Sequence, residues 1–328
     1  MIRKILISVL VLVVGGFLLS SGAVQAQDIS MTFASAYAED DHQTQSLIKF
    51  AELVEEKTDG EVQINVQYGG VLGGERDVAE NIQLGGIEGA ILGGILQGFD
   101  EALAILEFPF LFDDDDHIHR VMDGPIGTVI NERMQENINM RSLDIIMRTP
   151  RQLTTNDPVE NLDDLQGMSI RVPEMEAHLS TWEALGAEPT PLSFTEVYTA
   201  LQTGTVDGQE NPIPVIYANR FQEVADYLAM TSHLPGFMMI VINDDIYRDL
   251  SYEHRIAFNE AAAEARQFND ELLEELMEDI MAELEEAMTI TEPDREEFRA
   301  AADGVWENFE DVDGFTELYW AIRELSEE

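Results

Sequence analysis

The 328-residue chain carries 65 acidic against 18 basic side chains, a formal net charge of -47, and it contains no cysteine. The acidic excess excludes nucleic acid and anionic membrane surfaces as partners drawn by charge. The missing thiols exclude disulfides, thiolate metal centres, a cysteine nucleophile and a lipidated N-terminal cysteine, while 45% hydrophobic residues suffice for a sizeable core in two domains or one large one.

Residues 1–26 read as a secretory signal: Arg3 and Lys4 are its basic start, Ile5 to Leu19 its apolar run, and Val24-Gln25-Ala26 its cleavage site. The run is short for a membrane span, which needs about 20 residues, so a cleaved, exported, soluble chain is expected. That segment holds one Arg, one Lys and no acid, so its removal takes the charge from -47 to -49. Lys49 and Lys57 are then the only lysines. Such a balance suits a solvent of high salt, where self-repulsion is screened.

Period-2 alternation of Ile29, Met31 and Phe33 predicts a strand over Asp28 to Ala36, and helical spacing of Leu47, Ile48, Ala51 and Val54 predicts a helix over Gln45 to Lys57. A second strand through Val62, Ile64, Val66 and Tyr68, a glycine-rich loop, a helix over Glu75 to Leu84 and a strand over Ile87 to Leu92 follow. This β-α-β-α-β order predicts a parallel or mixed sheet flanked by helices. The Asp run in "EFPFLFDDDD" suits the positive end of a following helix. His117 and His119 stand beside it, but residues two apart do not share a helix face, so no metal site is expected.

A second α/β stretch begins near Arg148, with a strand "MSIRV" at 168–172 and a helix over Glu176 to Leu185 stopped by Gly186. Ser193 and Glu196 form a capping box for a helix that runs to Thr203 and stops at Gly204. In "TGTVDGQENP" the Asp207-Gly208 turn leads to Gln209, Glu210 and Asn211, read as a binding loop that Pro212 closes before another helix. "FMMIVI" at 237–242 is a buried strand. From Ser251 to about Met288 one helical pattern runs without proline or glycine, about 55 Å long at 1.5 Å per residue. It braces two domains or is two helices with an unmarked kink. Two amphipathic helices close the chain after Pro293. No repeat or low-complexity linker separates the two halves, which suggests that strands cross between them.

Nucleophile-elbow, phosphate-loop, dinucleotide and zinc-protease motifs are missing. No catalytic residue, cofactor or metal is therefore expected, although 65 acids make a chance carboxylate pair near a cleft unremarkable. The scarce cations say more. Arg151 follows Pro150 in "RTPRQLTT", and Arg171 stands between Ile170 and Val172 in a strand, where alternation turns it to the opposite face. A guanidinium there suits a carboxylate, either a ligand's or one of the chain's own acids.

The segment "LQGMSIRVPEMEAHLSTWEALGAEPTPLSFTEVYTALQTGTVDGQENP" resembles the substrate-binding proteins of tripartite ATP-independent periplasmic (TRAP) transporters, as do "VQYGGVLGGERDVAENIQLGGIEGAI", "LEFPFLFDDDDH" and "YLAMTSH". The similarity spans nearly all of the chain after residue 26. It implies an α/β venus-flytrap of two domains with a long domain-spanning helix. Domain I would hold 27–150 plus about 236–276, and domain II 151–235 plus about 277–328, with the ligand cleft between them. It implies capture of a small organic acid in the periplasm and delivery to TRAP membrane permease subunits, by a monomer and without catalysis. By position, Arg171 matches the family arginine that bridges the ligand carboxylate, Arg151 a reinforcing arginine, Asn211 an amide on the same carboxylate, Phe194 an aromatic against the ligand body and Glu75 an acid for hydroxyls or amines. Tyr37, Leu92 and Gly93 are expected on the opposite wall, and His233 as a marginal contact. Two alternatives stand beside this: a ligand-binding module that feeds a sensor, and a secreted hydrolase acting on acidic sugars. Sugar acids, dicarboxylates, 2-oxo acids and sialic acid-like sugars all fit the same arginines.

Overall fold

A computed structural model describes residues 29–326. The expected signal segment lies outside them. The first half runs β1 (Ile29–Ala34), α1 (His42–Lys57), β2 (Val62–Gln67), α2 (Glu75–Gln83), β3 (Gly89–Leu92), α3 (Asp115–Met122), α4 (Pro125–Ile138) and β4 (Met140–Thr155). Then come β5 (Ser169–Val172), α5 (Glu176–Ala184), β6 (Glu188–Pro191), α6 (Val197–Gln202), β7 (Gly208–Pro212), α7 (Ile213–Ala218) and β8 (Tyr227–Asn243). The chain closes with α8 (Asp244–Asp249), α9 (Tyr252–Ala287), β9 (Thr289–Thr291), α10 (Arg295–Ala302) and α11 (Phe315–Leu325).

The strands form one mixed sheet in the order β2-β1-β3-β8-β4-β7-β5-β6, with β9 beside β8. β1 pairs parallel with β2 and β3, and β5 parallel with β6 and β7, the two βαβ-type ends that the alternation predicts. Between them β4 and β8, of 16 and 17 residues, run antiparallel and serve both halves. The expected divisions at 150 and 235 fall inside these two strands, so strand, and not linker, joins the halves. Strand alternation sorts β8 onto two faces: Met238, Ile240 and Ile242 pack with α1 and the first part of α9, whereas Phe237, Met239 and Val241 join the large cluster on the other side. A third cluster, with Val197, Leu201, Ile216 and Leu228, serves the second half.

α9 is one unbroken helix of 36 residues, about 54 Å long, which settles the choice between a brace and two helices. Its buried residues fall in two groups. Phe258, Ala261, Ala262 and Ala265 enter the first-half core, and Ile280 and Leu284 the second-half core. Between Asn269 and Ile280 none is buried.

Two local expectations are corrected, and one element was not foreseen. α1 starts at His42 because the Asp41 side chain accepts from the Gln43 N–H and caps it there. The segment 208–212 is not a loop: it is β7, fully buried, paired antiparallel with β4 as far as Pro212 opposite Arg151. The short β9 carried no pattern that a reading of the sequence could use. The capping box of Ser193 and Glu196 is present, heading a 3-10 turn at Phe194–Glu196 that leads into α6. His117 spends Nε2 on the Ile322 carbonyl at 3.0 Å, and His119 lies against Arg266 and Asp123, so the two rings serve packing on separate partners.

Candidate functional site

The cleft lies where the two halves meet at the middle of β4 and β8. The lining includes Tyr37, Glu75, Gly94, Ile95 and Glu107 from the first half, Arg148 and Arg151 from β4, and Arg171, Pro173, Phe194 and Asn211 from the second half. The enclosed space measures about 10 Å³, on the order of room for one water. Tyr37, Arg148, Arg151, Arg171 and Asn211 are all buried there.

Arg171 sits on β5 with Ile170 and Val172 turned into the large core on the other face. Its Nε and Nη2 both donate to the Leu192 carbonyl, at 3.0 and 2.6 Å. Among the described residues no carboxylate comes within 4.0 Å of it. It is 2% exposed, and burial, only partly offset by Glu210, pushes its pKa down to about 10. A buried cation without a paired anion is costly to fold. Among the described residues its Nη1 has no hydrogen-bond acceptor. Asn211, on the neighbouring β7, donates Nδ2 to Gln209 Oε1 at 2.6 Å and shares the cavity wall.

Arg151 is placed differently. Its Nε and Nη2 both bond to the Glu210 carboxylate, Nη2 at 2.8 Å, and Nη2 also reaches the Glu210 carbonyl at 2.8 Å. Glu210 is wholly buried and takes His178 Nδ1 at 3.3 Å and His233 Nε2 at 3.0 Å as well. Burial opposes its ionisation, but Arg151 and His178 outweigh it and hold the carboxyl well below the usual range. Arg151 therefore has its own counter-ion.

Glu107, also buried, receives Arg148 Nη1 at 3.0 Å and lies 3.4 Å from His178 Nε2. Against the burial cost, Arg148 and then His178 and Arg151 pull its pKa down to about 2. On the opposite wall the Tyr37 hydroxyl donates to Glu75 Oε1 at 3.3 Å, and the Tyr37 ring packs 4.7 Å from Phe194. Burial, then the charge of Glu107, pushes the Glu75 carboxyl up.

The fold thus brings Arg171, Arg151, Asn211, Phe194, Glu75 and Tyr37 to one cavity. Three expected positions do not line this cavity. Leu92 and Gly93 lie behind the wall, which Gly94 and Ile95 form instead. Gly93 passes so close to Glu107 that a Cβ would meet Oε1 at 2.6 Å, so its smallness serves that buried acid. His233 stands behind Glu210, held by Thr231 at 2.8 Å and edge-on to Trp182, away from the cavity. Sequence reasoning missed Glu107, Arg148, His178 and the role of Glu210. The Glu of "EFPFLF" and of "GQENP" are two acids among 65, and only their burial among arginines distinguishes them.

Residues 33–312 match the family of bacterial extracellular solute-binding proteins, family 7, or DctP family. The chain belongs to it. A solute-binding protein of Roseobacter denitrificans is 34% identical over 285 residues, 87% of this chain and 88% of that protein. The sialic acid-binding periplasmic protein of Vibrio cholerae is 30% identical over 263 residues, 79% and 82% of the two chains. A crystal structure of a TRAP periplasmic solute-binding protein from Roseobacter denitrificans with bound L-galactonate superposes with a TM-score of 0.86 at 32% identity, over 92% of this chain and 99% of that one. The two-domain α/β fold of this DctP-family protein, with its domain-spanning helix, is that of its solved neighbours.

Proposed function

We propose that the protein captures a sugar acid in the periplasm and delivers it, unchanged, to TRAP permease subunits in the membrane. One observation carries the reading: Arg171, buried in the cleft, has a carbonyl but, among the described residues, no carboxylate for a partner. A ligand carboxylate accepted by Arg171 and Asn211 supplies the missing charge. Tyr37 and Glu75 meet hydroxyls, and the Tyr37–Phe194 pair covers the carbon chain. L-galactonate and sialic acid, named for the relatives, share that chemistry of one carboxylate and several hydroxyls. Arg151 acts mainly through its charge, since Glu210 holds its fork. Domain I is 27–150 with about 236–276, domain II is 151–235 with about 277–328, and closure of one on the other encloses the ligand. The signal is cleaved after about Ala26, and the exported monomer works in a salt-rich medium.

A thermal-shift screen of aldonic, uronic and sialic acids is expected to find a stabilising ligand, recovered chemically intact. Charge-assisted hydrogen bonds contribute roughly 1.5–3 kcal/mol each, so two of them make Arg171→Ala weaken binding by at least about 100-fold. Circular dichroism checks that the variant is folded. Unchanged affinity in a folded R171A refutes the assignment.

A further inference from the structure

Arg148 and Arg151 lie three residues apart on β4, and in a regular strand they would face opposite sides of the sheet. Both nevertheless line the cavity. The pairing shows how: Arg148 is opposite Gly236 and Arg151 opposite Leu234, three steps along β4 against two along β8. This bulge adds one residue and returns Arg151 to the face of Arg148. The fold has spent an irregularity at the centre of its longest strand pair to aim two guanidinium groups at one place.

The two are then used differently. Arg151 is locked to Glu210. Arg148, 2% exposed, gives Nη1 to Glu107, while its buried Nε and Nη2 have no hydrogen-bond partner among the described residues. Arg148, Arg151 and Arg171 are set among the acids Glu107, Glu210, Glu75 and Asp41, the last of which also feels the charge of Arg148. His178 lies between Glu107 and Glu210, with its ring nitrogens 3.3–3.4 Å from those two carboxylates. The cavity therefore has two separate sets of guanidinium donors not committed to a carboxylate, on Arg171 and on Arg148.

We propose that Arg148 is a second anion-binding group of this site and that the preferred ligand is a sugar diacid, with one carboxylate on Arg171 and the other on Arg148. This rests on the reading of the cleft as a sugar-acid pocket and narrows it.

Calorimetric titration of galactarate, a six-carbon diacid, and galactonate, its monoacid counterpart, into wild-type protein in one buffer tests it. Galactarate is expected to bind at least tenfold more tightly. In Arg148→Met the loss of affinity is expected to be at least tenfold greater for galactarate than for galactonate, with Arg148→Lys in between. Retained galactonate binding shows that each variant is folded. Equal losses for both acids, or a wild-type preference for galactonate, overturn the diacid assignment and leave the sugar-acid reading standing. If the wild type binds neither these two nor any acid of the wider screen, the sugar-acid reading itself falls, and the diacid with it.

Discussion

His178 faces a carboxylate at each ring nitrogen, Glu210 Oε1 at Nδ1 and Glu107 Oε2 at Nε2. A neutral imidazole has a single N–H and would present a lone pair to one of the two; the imidazolium suits both. Burial works against the charged ring, but Glu210 and Glu107 prevail and raise its pKa above 6.5. The raised value means that this group stabilises the fold fully below pH 6.5 and loses the contribution as pH rises through its folded pKa. Glu107 works in the opposite sense. Its contribution is present above the ordinary 4.5 and is lost as pH falls toward about 2. Together they favour the fold most between about pH 4.5 and about pH 6.5. His42 and His233 shift downward, chiefly through burial, so the informative quantity is a difference. The stability gap between wild type and His178→Gln, from urea unfolding at fixed salt, is expected to be larger at pH 5.5 than at pH 8.5; a gap that does not shrink rejects the imidazolium. None of this was legible in the sequence. That Arg171 and Asn211 stand on one cavity wall could be read because cations are few and the surrounding text is distinctive, but nothing local marks Glu107 or Glu210 as the counter-ions that keep Arg148 and Arg151 in place.

Among the elements, α9 was the most legible and β4 and β8 the least. A long run without proline or glycine has one physical outcome, and the helix spans 252–287 against an expected 251–288. β4 and β8 each face one environment in the first half and another in the second, and their shared bulge shifts the alternation at the midpoint. The sequence therefore showed only fragments of them, "FMMIVI" above all. At 208–212 Gly, Asn and Pro, as turn formers, suggest a loop, whereas pairing with β4 overrides that preference and makes a buried strand. α9 also shows how the halves are coupled. Asn269, buried in the helix, accepts from His42 and Ser46 and donates to the Met147 carbonyl at 3.0 Å, fixing the helix to α1 and β4. From there to Ile280 no side chain is fully buried, and only the partly buried Leu276 and Met277 pack against the second-half core. A proline in that span removes a helix hydrogen bond and costs about 3 kcal/mol. Exposed Glu274 is the place to try it. Glu274→Pro is expected to lose about that much stability in chemical denaturation, and Glu274→Ala almost none. A proline variant as stable as wild type shows that the span carries no coupling.

At the scale of the whole molecule, a body of charge -47 surrounds a cleft lined by three arginines. The two fields differ in range. At an ionic strength of 0.01 M charges interact over about 30 Å, and at 1 M over about 3 Å. In dilute buffer an approaching sugar acid therefore meets the acidic surface long before the arginines, and the protein repels its own ligand. Salt removes the distant repulsion first. The contacts proposed for Arg171 and Asn211 would act at hydrogen-bond range inside a buried cavity, where screening is weak. Association should accordingly speed up as salt rises from 0.01 M toward 1 M, the reverse of ordinary steering, while dissociation changes little. Stopped-flow fluorescence can follow it, because Trp182 is fully buried and packs 5.2 Å from His233, which is bonded to Glu210 beside the cleft. The same screening relieves repulsion among the acids of the folded chain, so unfolding midpoints are expected to rise over the same range of salt. An association rate that falls with salt would mean that the cleft's local positive field governs encounter, and the long-range argument would then be wrong.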